Sequence, residues 1–263
     1  KEVLAANKLA VANKDPKKQA SFNVLIDLAN KSLQFKPGSV MEKLNTPPSG
    51  DKHDYMSLAP YFWPNPDTKD GLPYIRKDGK TNPEVNDYKD KEYMPALCAE
   101  VEKLALAFYF TGDEKYAKHA TTLLRVWFLD DATKMNPNLN FAQYIKGINS
   151  GRGIGIIDTR HFVYALESIQ LIKGSSNWDD QKNNATKKWF NQFLHWLQTS
   201  ENGLEELLRY CDRNAMAHGC EVRLPYLNHE LVSYVFSLPS RFKMNNGFTK
   251  AILRKLMHNK IPS

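Results

Sequence analysis

The chain has 263 residues, of which 42% are hydrophobic, and its 36 basic and 29 acidic residues give a formal net charge of +7. This much apolar sequence can bury a real core, which excludes a chain that is disordered throughout. The positive charge favours an anionic partner such as an acidic polysaccharide or a nucleotide. Nucleic acid is not predicted as a partner, because no segment forms a concentrated basic arm and no binding motif is present.

The cysteines and the apolar runs exclude two further classes of protein. The chain has three cysteines, Cys98, Cys211 and Cys220. Because their number is odd and they lack the CxxC spacing of zinc sites, the sequence predicts neither a disulfide framework nor a metal site. No run approaches the roughly 18 apolar residues that span a bilayer, so no membrane partner is predicted. The chain begins with Lys1 rather than Met, which leaves export of a processed product open. Nothing in the sequence indicates the oligomeric state.

Apolar residues recur at helical spacing in every long segment outside two loops. In chain order, the predicted helices cover Glu2–Ala12, 17–33, a segment containing Leu97 and Phe108, 114–129, 157–173 and 179–199. Gly112 and Asp113 supply a stop and a new start between the third and fourth helices, which makes them a hairpin. The sequence therefore predicts an all-α fold, an incomplete (α/α) toroid of antiparallel helical hairpins.

Two irregular stretches, 35–83 and 130–155, interrupt the helices. The first is dense in Pro, Gly and Asp, and a loop of this length in a compact domain is usually functional. It also gathers side chains that suit an acidic sugar, because aromatic rings stack on sugar faces and Arg pairs bidentately with a carboxylate. These side chains are His53, Tyr55, Tyr61, Trp63, Tyr74 and Arg76. The alternative is that the aromatic residues pack the loop onto the helices beneath it.

Three segments carry a resemblance to a known family. They are 51–64 (DKHDYMSLAPYFWP), 70–76 (DGLPYIR) and 150–159 (SGRGIGIIDT). In this order they resemble the alginate lyases, polysaccharide lyases that fold as helical toroids. The resemblance covers nearly all of residues 1–202, which implies a periplasmic or secreted protein acting on an acidic polysaccharide without a cofactor.

The resemblance implies β-elimination across a uronic acid. Such a site neutralises the carboxylate, removes the C5 proton with a base and protonates the departing O4 oxygen. His53 and Tyr55 are the candidates for acid and base, and Arg152 is the candidate that neutralises the carboxylate. The predicted substrate-binding residues are Tyr61, Trp63, Tyr74, Arg76, Arg160 and His161. We expect the catalytic residues and Trp63 to line one cleft.

The sequence departs from the alginate lyase pattern after Gly203. Family members continue with a segment containing an Asn-Asn-His-type motif, which carries a carboxylate-neutralising Asn and a catalytic His. Residues 204–209 instead read LEELLR. The resemblance therefore implies impaired lyase activity, since losing one such donor costs a factor of about 10² to 10³ in rate.

We place a domain boundary between residues 202 and 203, and predict a small helical appendage over 203–263. Segments 207–218 (LLRYCDRNAMAH) and 221–229 (EVRLPYLNH) resemble the C-terminal end of glutamine-hydrolysing asparagine synthetases, although Ala215 and Asn228 depart from that pattern. The resemblance implies that Lys250, Arg213 and Glu221 lie near ATP and pyrophosphate. The Ser-Gly-Gly-x-Asp-Ser pyrophosphate loop is absent, so ATP and Mg²⁺ would be cofactors only within a complete synthetase.

Three functions follow from the two resemblances. The chain is a polysaccharide lyase-like protein that cleaves or binds an acidic polysaccharide, a cytoplasmic fragment of an ATP-dependent amide ligase, or a noncatalytic fusion of both. The longer resemblance favours the first function. The location follows the function, periplasmic or secreted for a lyase and cytoplasmic for a synthetase fragment.

Overall fold

The computed structural model describes residues 2–204 and two short strands near the C-terminus. The chain divides into two units, Lys1–Glu206 and Leu207–Ser263. The boundary predicted between residues 202 and 203 stays a prediction.

The first unit is built from α-helices, which confirms the predicted all-α class. The helices in residues 2–204 are α1 (Glu2–Ala12), α2 (Pro16–Ser32), α3 (Asp90–Thr111), α4 (Glu114–Phe128), α5 (Phe162–Ile172) and α6 (Asp180–Thr199). Helix α3 is central, since it packs against α2, α4 and α5. Its apolar residues recur every three or four positions and are buried, among them Leu97, Val101 and Leu104. Helix α1 was predicted to be amphipathic, yet none of its residues is buried.

The predicted helix boundaries rest on identifiable caps. Gly112 ends α3 in the left-handed conformation, with φ of 71°. Asp113 then begins α4, and its carboxylate accepts a hydrogen bond from the backbone N–H of Lys115 at 3.1 Å. Asp179 caps α6 in the same way, since its carboxylate accepts a hydrogen bond from the backbone N–H of Lys182 at 2.8 Å.

An aromatic cluster joins the C-terminal end of α4 to α5 and α6. Trp189 lies at its centre, with ring centroids 4.8 Å from Phe128 and 5.7 Å from Phe162. The indole of Trp189 also donates a hydrogen bond to the carbonyl of Met135 at 2.7 Å, which ties the second loop to α6. Phe193 is buried beside it, so the predicted apolar stripe of α6 is indeed a core face.

The two long loops contain short strands that the sequence did not predict. Strands β1 (Met56–Leu58), β2 (Phe62–Trp63) and β3 (Ile75–Arg76) lie in the first loop, and β4 (Phe141–Tyr144) lies in the second. Strands β2 and β3 form an antiparallel pair, whereas β1 and β4 pair in parallel with an irregular register. The predicted helix 157–173 starts later than expected, because a 3-10 helix, Gly153–His161, precedes α5.

A buried ion pair fastens the first loop to the start of α3. The Lys43 ammonium lies 2.8 Å from the Asp90 carboxylate and donates to the carbonyls of Lys52 and Asp54 at 2.6 and 2.8 Å. Asp90 also accepts the backbone N–H of Met56 at 2.9 Å, which places the start of β1 on α3. Burial raises the pKa of Asp90 to about 6, although the attraction of Lys43 opposes that shift.

In the second unit, the described strands are β5 (Met244–Asn245) and β6 (Phe248–Thr249), which pair antiparallel. The rest of the predicted helical appendage lies outside the described residues. Within the described part of the chain, no helix is long and apolar enough to cross a membrane.

Candidate functional site

The two loops lie against each other along the β1–β4 pair. The buried carboxylate of Asp54 accepts hydrogen bonds from the side-chain amides of Asn136 and Asn138, both at 2.9 Å. Its other oxygen accepts from the Ser49 hydroxyl at 2.7 Å, so Asp54 closes its own loop and joins it to the second one. That the predicted catalytic residues line one cleft stays a prediction, but the loops that carry them are adjacent.

A buried carboxylate, Asp158, organises the polar interior between these loops. It accepts hydrogen bonds from the hydroxyls of Ser57 at 2.6 Å and Tyr55 at 3.2 Å. Its second oxygen lies 3.4 Å from the Gln143 side-chain nitrogen and 3.7 Å from the ammonium of Lys91. The negative charge of Asp158 is therefore held by a cation and three neutral donors.

Arg152 lies on the outer side of this network. Its guanidinium donates to the side-chain oxygen of Gln143 at 2.7 Å and lies 5.3 Å from the centroid of the Phe62 ring. Its backbone N–H donates to the carbonyl of Ala142 at 3.1 Å, so Arg152 is anchored directly on β4. An arginine held by a ring and by a hydrogen bond has a restricted orientation, which suits pairing with a carboxylate.

The close approach of the Arg152 segment to β4 depends on glycine. A Cβ atom added to Gly151 would lie 2.0 Å from the carbonyl oxygen of Asn140, and one added to Gly155 would lie 2.5 Å from the Cβ of Ala142. Gly151 and Gly155 therefore let the backbone of this segment touch the strand.

Tyr55 lies in the interior of the first unit. Its side chain is fully buried in the core, and burial together with the charge of Asp158 raises the pKa of its hydroxyl well above the ordinary value. A phenol with a raised pKa stays protonated and therefore cannot accept a proton as a base. Its burial favours support of Asp158 over the predicted acid–base role, which stays a prediction.

His53 is half-buried, and its ring is oriented by the second loop. Its Nδ1 lies 2.6 Å from the carbonyl oxygen of Lys134, an acceptor only, so in the neutral ring Nδ1 carries the proton and Nε2 is the basic nitrogen. The backbone of His53 is fixed on both sides, by Asp51 at 2.8 Å and by Asn136 at 2.9 Å. This arrangement suits a general base, and the predicted role stays a prediction.

Two predicted sugar platforms remain accessible on the first loop. Tyr61 is 41% exposed and Trp63 is half-buried. The Trp63 indole donates to the carbonyl of Lys80 at 2.8 Å, and the ammonium of Lys77 lies 5.5 Å from its ring. These contacts fix the indole while leaving part of its surface open.

Tyr74 belongs mainly to the packing of the loop, as the alternative interpretation of the aromatic residues had it. It is buried, and its hydroxyl donates to the Glu84 carboxylate, 2.7 Å from the nearer oxygen. Lys146 pairs with the same carboxylate at 2.7 Å and lies 5.3 Å from the Tyr74 ring. Burial alone would raise the pKa of Glu84, but the hydrogen bonds from Lys146 and Tyr74 lower it, so this cluster is internally balanced in charge.

The other predicted substrate-binding residues have local partners. Arg76 pairs with Asp78 at 2.7 Å, and both side chains are exposed. The Nε of Arg160 donates to Nε2 of His161 at 3.0 Å. Burial and the charge of Arg160 lower the pKa of His161. A role for these residues in binding stays a prediction.

The predicted ATP-site residues, Lys250, Arg213 and Glu221, lie outside the described residues, as do Cys211 and Cys220. Cys98 is a buried free thiol, as expected. Across the part of the chain that the structure describes, no group of three or more His, Cys, Asp or Glu side chains could hold a metal ion.

Sequence reasoning missed the side chains that organise the site. Asp158 lies inside the motif 150–159, and its position there was the available signal. Ser57 likewise lies inside the motif 51–64, whereas Gln143 carried no signal, since an isolated amide in a loop is common. Their importance appears only when the two loops pair.

Comparisons with known proteins identify the family of this chain. The alginate lyase family model matches residues 39–217. A crystal structure of an alginate lyase from Bacteroides ovatus is similar at 43% sequence identity and a TM-score of 0.73, over 78% of this chain. The chain spans about half of that protein, 54% of its length.

Shorter similarities link the chain to asparagine synthetases. Asparagine synthetase [glutamine-hydrolyzing] 3 from Bacillus subtilis is 32% identical over 97 residues, which are 37% of this chain and 14% of that protein. The asparagine synthetase of Gallus gallus is 40% identical over 63 residues, 22% of this chain and 11% of that protein. These matches are partial and leave the predicted fusion unconfirmed. The lyase family model, in contrast, matches more than half of the residues, and the chain belongs to the alginate lyase family.

Proposed function

We propose that the first unit binds an acidic polysaccharide such as alginate across the face where the two loops meet, and that it acts on this polymer as a β-eliminating lyase. The observation that carries the proposal is the guanidinium of Arg152, which lies over the Phe62 ring and donates a hydrogen bond to Gln143 on that face. A uronate carboxylate is the sugar group that such an arginine recognises.

The local charge supports an anionic ligand. Lys91 and Arg152 both lie close to the network around Asp158, which places two cationic side chains on this face. The neighbouring Lys146 pairs with Glu84. Cationic side chains grouped on one face favour an anionic ligand.

The same residues suit the chemistry of elimination. Pairing of Arg152 with the uronate carboxylate would stabilise the charge that builds up when the C5 proton leaves. His53, with its proton held on Nδ1 by the carbonyl of Lys134, would accept the C5 proton on Nε2 and then donate it to the departing O4 oxygen. Tyr61 and Trp63 would support the sugar rings. Tyr55 would act through Asp158 rather than on the substrate.

Binding and elimination can be tested separately with the full chain. Titration calorimetry should detect binding of polymannuronate or polyguluronate, and carboxyl-reduced alginate should not bind, because the charged group is gone. Ultraviolet absorbance of the new double bond reports elimination, and we expect it to be slow. Equal binding of native and carboxyl-reduced polymer would contradict the proposal.

The family relationship extends the proposal to location. Alginate is an extracellular polymer, so we place the protein in the periplasm or outside the cell. Fractionation of the cells that make it should recover the chain outside the cytoplasm, and its recovery with cytoplasmic marker enzymes would contradict this placement.

A second candidate function rests on the short similarity to asparagine synthetases. We infer that the C-terminal segment is related to those enzymes but does not make asparagine alone, since transfer from ATP needs a phosphate cradle and metal-binding carboxylates besides Lys250. Incubation with ATP, Mg²⁺, aspartate and ammonia should yield no asparagine. Formation of asparagine and AMP would favour the ligase function.

A further inference from the structure

We propose that Gln143 is a positioning residue, which fixes the guanidinium of Arg152 in the plane that receives a substrate carboxylate. The ligand in this statement rests on the proposed function. The positioning itself rests on the backbone and contacts of Gln143, and can be tested without any ligand.

The backbone of Gln143 is unusual. Its φ is 51°, in the left-handed region that residues other than glycine, asparagine and aspartate rarely adopt. It coincides with the irregular register of the β1–β4 pair, in which four residues of β4 face three of β1. Such conformations persist where surrounding contacts over-determine them, and they cluster at functional sites.

The contacts that hold this conformation are all polar and buried. The Gln143 N–H donates to the hydroxyl of Ser57 at 2.8 Å, and Ser57 in turn donates to Asp158 at 2.6 Å. Gln143 itself is 5% exposed. Backbone and side chain are thus both tied to the network that surrounds Asp158.

The amide of Gln143 performs two tasks that no other side chain of its size combines. Its oxygen accepts from Arg152 at 2.7 Å, while its nitrogen faces the Asp158 carboxylate at 3.4 Å. A glutamate here would pair with Arg152 but repel Asp158, and a methionine would do neither. The amide therefore holds the arginine without cancelling its charge.

Two contacts restrain the Arg152 guanidinium. Its Cζ lies 5.3 Å from the centroid of the Phe62 ring, and its Nη2 donates to the Gln143 side-chain oxygen at 2.7 Å. A bidentate pair with a carboxylate needs this geometry, and a side chain that is ordered before binding loses less entropy on binding.

The positioning can be measured first in the absence of ligand. Nitrogen-15 NMR of the arginine guanidinium groups, with the Arg152 signal assigned by its loss in Arg152→Lys, reports rotation about the Cζ–Nη bonds. We expect slow rotation in the parent chain and fast rotation in Gln143→Ala. Asn149→Ala is the matched control, because this amide lies in the same loop and accepts instead from Ile145 N–H at 3.1 Å. An Arg152 signal unchanged by Gln143→Ala would overturn the proposal.

A double-mutant cycle on polymannuronate binding tests the consequence for the ligand. Gln143→Ala should weaken binding about tenfold in the parent chain and have no further effect in an Arg152→Ala background, since Gln143 acts through that arginine. Equal losses in both backgrounds would reveal a general structural role and overturn the proposal. A parent chain that binds no polyuronate would refute the proposed function, while the NMR result still decides the role of Gln143.

Gln143→Glu covers the case in which Gln143→Ala does not fold. It preserves the size of the side chain and its acceptor for Arg152, so Arg152 should stay ordered, but the added carboxylate would compete with a substrate carboxylate for the guanidinium. Polyuronate binding should then fall about tenfold or more. Unchanged binding by a folded Gln143→Glu chain would contradict the proposal.

Discussion

Replacing Lys43 by methionine should destabilise the first unit strongly, because the change leaves the Asp90 carboxylate buried without its counter-ion. Lys43 is 2% exposed and Asp90 is fully buried. Removing one partner of such a pair costs about 3–5 kcal/mol in the free energy of unfolding. In a domain of about 200 residues, 1 kcal/mol shifts Tm by about 2–4 °C, so we expect a decrease of roughly 6–20 °C.

Thermal unfolding followed by far-ultraviolet circular dichroism measures this shift. Lys43→Met/Asp90→Asn should recover part of the loss, because it removes the unpaired charge and keeps an acceptor for the N–H of Met56. Lys89→Met is the control, since the Lys89 ammonium pairs with Glu92 at the surface, where ion pairs contribute about 0–1 kcal/mol. A Tm for Lys43→Met within about 2 °C of the parent, less than 1 kcal/mol on this scale, would refute the reasoning.

Three further predictions concern stability. Gly151→Ala places a Cβ 2.0 Å from the carbonyl oxygen of Asn140, so the free energy of unfolding, measured with urea, should fall by about 1–3 kcal/mol. An unchanged urea midpoint would show that the loop relaxes to accept the methyl group. Burial raises the pKa of Asp90 from 3.8 to about 6, so the native state binds this proton more tightly than the unfolded state. Relative to Asp90→Asn, the parent should therefore lose up to about 3 kcal/mol as pH rises from about 4 to about 6, and a gain over that range in urea titrations would contradict the shift. Trp189→Phe retains an aromatic ring but removes the hydrogen bond to the carbonyl of Met135, so the free energy of unfolding, measured by calorimetry, should fall by about 1–3 kcal/mol. A variant as stable as the parent would show that this bond contributes little.

The helices were predictable from sequence because their signals are local. Apolar spacing located α3, and the adjacent Gly112 and Asp113 marked its end and the next start, since one supplies a left-handed residue and the other a cap. Where the local signal was ambiguous, the observed helix boundary differs from the predicted one. The apolar spacing of residues 157–161 predicted the start of an α-helix, yet these residues form the end of a 3-10 helix that lies against β4 and α3.

The site was less predictable because long-range pairing creates it. Ser57 and Gln143 are 86 residues apart and meet only when β1 and β4 pair. Glycine commonly adopts the left-handed backbone conformation, so that of Gly112 could be expected from the residue type. Glutamine rarely adopts it, so the residue type gave no indication for Gln143. The motif predicted an acid–base role for Tyr55, but a motif does not show which of its aromatic residues are buried, as Tyr55 is.

Recognition of a carboxylate by Arg152 is the central claim, and binding of mannuronate oligosaccharides to Arg152→Ala tests it most directly. Arg125→Ala is the matched control, because Arg125 is a half-exposed arginine on α4 that pairs with Asp130 at 2.9 Å. We predict that Arg152→Ala lowers affinity at least about tenfold, from the loss of one charge-assisted pair, while Arg125→Ala binds as the parent does. Equal affinities of Arg152→Ala and the parent, with both chains folded, would contradict the account.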